Sequence, residues 1–214
     1  MKKYLLSTLA DGICVVLLSV CPILCYASAF SVKLDSSVLI MAAVLFSMVF
    51  SLLSAFVKNN LKYALCMTVI AFVAFLVFVF ANERIFAQAN YAINKLLEQY
   101  SVYLSVYSNI KFASYIANNA TGFFVLLSLI LNGLFSFLIS RIKSIKIAGL
   151  LSIALLVPCF VLVNTLPDLV PLLIIFTVLF ALYFSSQTRQ LNYAHSGVIT
   201  AVCAVILAVL ITVL

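Results

Sequence analysis

The residues able to do chemistry in this 214-residue sequence are few: one histidine, five carboxylates and six cysteines. A thiol nucleophile needs a base within hydrogen-bond reach, and a zinc site needs clustered His, Cys or carboxylate ligands. Cys14, Cys21, Cys25, Cys66, Cys159 and Cys203 all fall inside apolar runs, none in a CxxC pair, and His195 stands outside those runs. Cys21 and Cys25, at i and i+4, share a helix face and could hold a metal, but no His or carboxylate accompanies them. They read as small apolar side chains that fill helix contacts. A single His cannot supply two haem ligands, and no Gly-rich phosphate loop is present. The expectation is therefore a chain without catalytic residues, cofactor or metal.

Polar side chains within the apolar runs are the remaining candidates, because such groups are costly in lipid and are often functional. Asn132 sits near the middle of one run beside Gly133, where its amide would bond a neighbouring helix or, on a second reading, contact a substrate. Asp11 stands at the start of the first run and reads as an N-cap before Gly12, with burial in a longer helix as the alternative. Pro22 and Pro158 each remove a backbone donor inside a run, which predicts a kink in both helices. No other Asp, Glu, Lys, Arg or His enters the runs, which disfavours a proton-coupled pump or an ion channel.

The elements that must position these residues follow from composition. Only 8% of residues are charged and 67% are apolar, against about 25% charged in a soluble domain. Mean hydropathy is +1.33. Runs of about 20 apolar residues can cross a bilayer as helices, and seven are marked off, at 12–30, 37–57, 63–81, 122–140, 147–163, 169–185 and 197–214. The fifth and sixth are short enough to form a broken hairpin instead. The expected fold is an all-α, polytopic integral membrane helix bundle: a single domain over 1–214 with about seven transmembrane helices and one amphipathic interfacial helix.

Twelve Lys and Arg outnumber five Asp and Glu. Their placement fits basic loops retained in the cytoplasm rather than a nucleic-acid partner. With the N-terminus inside, Lys2, Lys3, Lys58, Lys62, Arg141, Lys143, Lys146 and Arg189 are cytoplasmic, and Leu214 reaches the outer face. The Ala27-Ser28-Ala29 sequence could end a signal peptide, but Asp11 and Pro22 interrupt its core, so an anchored helix is expected. Between the third and fourth runs, segment 84–107 carries apolar residues at i, i+3 and i+4, the pattern of an amphipathic helix on the outer surface. Tyr100, Tyr103 and Tyr107 would be its interfacial anchors.

The stretch Tyr91-Ala92-Ile93-Asn94-Lys95-Leu96-Leu97-Glu98-Gln99-Tyr100-Ser101 carries a resemblance, together with the basic turn Arg141 to Lys146, Val163-Asn164-Thr165-Leu166-Pro167 and Pro171-Leu172. In order of elements the chain resembles the N-terminal membrane region of bacterial transglutaminase-like membrane proteins. The resemblance implies a bacterial cytoplasmic membrane and a bundle that anchors an extracytoplasmic module with a Cys-His-Asp triad. That module is absent from these residues, so none of its catalytic residues can be placed here. The expected partners are the lipid bilayer and an extracytoplasmic domain or partner protein. The alternative expectation is a small permease or the membrane subunit of a transporter.

Overall fold

The computed structural model describes residues 2–57, 59–80, 82–104, 117–161 and 167–190. It is all-α in these residues. The helices are α1 (Lys2–Ala29), α2 (Ser36–Phe56), α3 (Asn60–Phe80), α4 (Asn82–Leu104), α5 (Thr121–Ser136), α6 (Ile145–Val161) and α7 (Leu169–Gln190). A π-helical segment, Phe137–Ile142, prolongs α5.

Among the described residues, four helical stretches are long and apolar enough to cross a membrane: Asp11–Ala29, Ser36–Ser54, Asn60–Val77 and Thr121–Ile142. This corrects the expectation of seven. The fifth run forms α6, whose 17 residues extend roughly 26 Å at 1.5 Å per residue, short of a hydrocarbon layer of about 30 Å. The apolar part of α7, Leu169–Tyr183, is shorter still. The run at 197–214 lies outside the described residues.

Helix α1 is the hub. Its Val15, Leu18, Cys21 and Cys25 are buried against Leu39 and Ala43 of α2, Phe124 and Phe135 of α5, Cys159 of α6 and Ile175 of α7. A helix apolar all round can be buried all round, and 61% of the apolar stretch of α1 is buried. In α3 the figure is 11%. That helix turns Leu65, Val69, Phe72, Val73 and Phe75 outward. In water so large an apolar surface would drive aggregation; hydrocarbon chains match it.

Successive bundle helices run antiparallel, because two separate sets of contacts tie their ends. At one end Ala120 N–H donates to the Lys33 carbonyl at 3.0 Å, and Asp35 N–H donates to Thr121 Oγ1 at 2.9 Å. There, too, Asp168 N–H donates to Ser28 Oγ at 3.0 Å. Asp35 Oδ1 caps α2 by accepting from the N–H groups of Ser37 and Val38, satisfying donors that a helix start leaves open. The opposite end gathers the C-terminus of α2, the N-terminus of α3 and the π segment around Arg141.

Helix α4 is the polar exception. It buries small side chains, Ala87, Ala89, Asn90 and Ala92, with Tyr91 and Leu96 packed on the core, and leaves Phe86 and Ile93 exposed. The buried face takes Ala89, Ala92 and Leu96 from the apolar arc expected in the sequence and leaves its Ile93 outside; small residues let α4 approach closely. Lys95 Nζ donates to Glu98 Oε2 at 2.8 Å, and that bond to Glu98 holds the Lys95 ammonium above its ordinary 10.5.

Helix α5 lacks a side-chain cap of its own and borrows one: Phe123 N–H donates to Gln88 Oε1 of α4 at 3.0 Å. The approach requires glycine at 122, where a Cβ would lie 2.6 Å from that oxygen. Two effects oppose each other in Gly122→Ala. Alanine favours a helix by up to about 1 kcal/mol, while displacing the Gln88 cap costs about 1 kcal/mol. Gly122→Ala is therefore expected to be neutral or mildly destabilising in the native background and stabilising in Gln88→Ala. A double-mutant cycle in mixed micelles measures this coupling, and strict additivity would sink the cap assignment.

Candidate functional site

On α5 the four-residue spacing of Ser128, Asn132 and Ser136 puts all three on one face, and all three are buried. Asn132 Nδ2 donates across to Ser19 Oγ of α1 at 2.8 Å and back to the Ser128 carbonyl at 2.9 Å. The hydroxyls around it are directed to the backbone: Ser19 donates to the Val16 carbonyl and Ser128 to that of Val125. On α2, Ser47 Oγ donates to the Gly12 carbonyl of α1 at 3.0 Å, one of the small-residue contacts that draw membrane helices together. Among the described residues, Asn132 Oδ1 accepts no bond and is fully buried. One neutral acceptor can orient a helix, but it supplies neither a proton relay nor a coordination shell.

Asp11 lies within α1, which starts at Lys2. It is therefore not the N-cap of a helix opening at Gly12. The reason is local: Tyr4, Leu5, Leu6, Leu9 and Ala10 lack any Gly or Pro to stop a helix upstream. Pro22 and Pro158 both stand inside continuous helices. Tyr100 is half-buried; the Tyr103 side chain and all of Tyr107 lie outside the described residues. So do Cys203 and His195. Cys14, Cys21, Cys25 and Cys159 are buried free thiols and Cys66 is half-buried. Among the described residues no three His, Cys, Asp or Glu side chains gather as metal ligands.

Arg141, expected from the sequence in a basic loop, instead gathers several contacts on the bundle. The π segment, followed by Lys143 in the left-handed region at φ 55°, turns Arg141 back onto the bundle. Its Nη2 donates to the carbonyls of Ser54 and Val57, the last of which caps α2. Its guanidinium lies 4.9 Å from the centroid of the Tyr63 ring. A cation at the negative end of a helix and over an aromatic face is favoured twice. Tyr63 is itself fixed, its hydroxyl 3.1 Å from Ser136 Oγ and its ring stacked on Phe137 at 5.9 Å. The only hint in the sequence is an arginine at the edge of an apolar run, a position from which a long side chain can reach along the helix.

Above this corner, α2, α3 and α5 border a half-open cavity of about 230 Å³ lined by Phe50, Met67, Thr68, Ala71, Ile130 and Gly133 among others. Gly133 lets the Met67 side chain pack directly on α5 in its wall, since a Cβ there would collide with the Met67 terminal methyl. Thr68 Oγ1 donates to the Ala64 carbonyl at 2.9 Å, so the wall offers hydrocarbon rather than a free hydroxyl. No protein-family model, no curated protein and no solved structure matches this chain. The functional reading therefore rests on the geometry and the sequence.

Proposed function

We propose that the chain is a multi-pass membrane bundle that anchors and positions an extracytoplasmic module. The observation that carries this reading is the use made of the buried polar side chains. Those of Ser19, Ser47, Ser128 and Ser152 bond backbone carbonyls, that of Asn132 bonds Ser19, and Tyr63 pairs with Ser136. The Ser47–Gly12, Asn132–Ser19 and Tyr63–Ser136 bonds cross between helices and hold them in register. The other serines are satisfied within their own helices, and among the described residues no file of free groups is left along which an ion or polar solute would pass. The transglutaminase-like character of the module rests on the sequence resemblance alone, as does a bacterial cytoplasmic membrane. A cytoplasmic N-terminus rests on the basic residues. The second reading, a small permease, is favoured only by the unpaired Asn132 Oδ1.

The deciding measurement is the apparent mass of the native gene product in membranes, detected with an antibody to the segment around Lys95. A species well above 23.4 kDa is expected for an anchor carrying its module; one near that mass removes the anchor reading. In the same membranes, a cysteine replacing the exposed Glu98 should react with an impermeant reagent from outside. One replacing Lys143 should react only after permeabilisation.

A further inference from the structure

The cavity between α2, α3 and α5 opens among exposed apolar side chains, Ile130 and Leu134 of α5 and Ala71 of α3. In a bilayer that mouth faces acyl chains. Left empty, an apolar cleft forfeits dispersion contacts along its walls, and apolar cavities of about 150 Å³ already take up apolar molecules rather than water. Along α5, Gly133 and Arg141 are separated by roughly 12 Å. A chain rooted at the Arg141 end would reach the cavity well within one leaflet, about 15 Å deep, half the hydrocarbon thickness.

The rim at that end is basic. Lys62 precedes the Tyr63 that lies under Arg141, and Lys143 follows Arg141 by two residues; both lysines are exposed. Arg141 is engaged on the α2 carbonyls. The two lysines are thus the groups presented to an anionic headgroup. We propose that this three-helix corner binds one anionic phospholipid, its acyl chain in the cavity and its phosphate between Lys62 and Lys143. The proposal goes beyond the anchoring role and rests only on the bundle lying in a bilayer, which membrane fractionation tests separately.

The test is native mass spectrometry of the full chain in mild detergent, titrated with phosphatidylglycerol and with phosphatidylcholine of matched chains. One phosphatidylglycerol is expected to be retained, bound about ten-fold more tightly than phosphatidylcholine. Ala71→Phe, at an exposed position on the mouth, should weaken it by plugging the cavity. Lys62→Gln with Lys143→Gln should weaken it by removing the rim and should bring the two lipids level. Equal affinity of the native chain for both lipids overturns the proposal. So does native-like retention in the two variants, or a dimer that forms as lipid is stripped and blocks its return. Should Ala71→Phe fail to fold, the lysine pair, on exposed side chains, still decides.

Discussion

Replacing Arg141 by methionine should cost the bundle about 3 kcal/mol, as read from unfolding titrations in mixed micelles. Hydrogen bonds from a charged donor contribute about 1.5–3 kcal/mol each, and a cation over an aromatic ring adds about 0.5–1 kcal/mol at a partly exposed site. Arg141 makes both kinds of contact: two bonds to α2 carbonyls and one ring contact with Tyr63. Partial exposure reduces the sum. Methionine keeps most of the stem, so the loss isolates the guanidinium. Arg141→Lys should recover less than half, because a shorter side chain ending in an ammonium lacks the planar fork whose Nη2 bonds both carbonyls while its plane lies against a ring. Tyr63→Phe keeps the ring and loses only the Ser136 bond, so it should cost about 1 kcal/mol. Full stability in Arg141→Lys would mean that charge near the helix end matters and the fork does not.

What could be read from the sequence follows from the range of each interaction. Hydropathy is a local sum, so the cores of α1, α2, α3 and α5 fall where the apolar runs lie. The start of α2 at Ser36 agrees closely with the run beginning at 37, because Asp35 supplies an N-cap from the adjacent residue. Length was harder to judge. The runs at 147–163 and 169–185 pass a test for apolar content but yield helices or apolar stretches shorter than the four spanning ones. Asp11 misled because cap and interior positions differ only in what precedes them, and the upstream leucines continue the helix.

The tertiary bonds were not legible in principle. Gln88 caps α5 across 35 residues, and Arg141 reaches Val57 across 84. Nothing in a single sequence pairs residues so far apart. The turn that brings Arg141 inward depends on a π-helical segment and a left-handed Lys143, and neither has a composition signal. Asn132 was identified as a buried polar group, but its partner Ser19 was not. Any serine facing the right way on a neighbouring helix would have served.

Two substitutions of Asn132 should separate a structural amide from a pathway residue. Asn132→Leu removes the interhelical bond to Ser19, typically worth about 0.6 kcal/mol in membrane bundles. It also removes a fully buried acceptor that has no partner among the described residues. These effects oppose each other, and the net change in stability should stay within about 1 kcal/mol. Asn132→Asp is nearly the same shape and should behave very differently. It places a second acceptor where Nδ2 now donates to the Ser128 carbonyl at 2.9 Å, and it brings a carboxylate to mid-span at a cost of about 2.5–3.5 kcal/mol. A loss of about 3 kcal/mol at neutral pH is therefore expected, with the protein poorly inserted or rapidly degraded in cells. The contrast carries the functional decision: an anchor with leucine at 132 keeps its localisation and its partner's activity, whereas a permease that reads solute through this amide keeps its fold and loses uptake. A leucine cost as large as that of aspartate would mean instead that Oδ1 accepts a bond in the bilayer, from a buried water, and that the amide is fully used in holding α1 to α5.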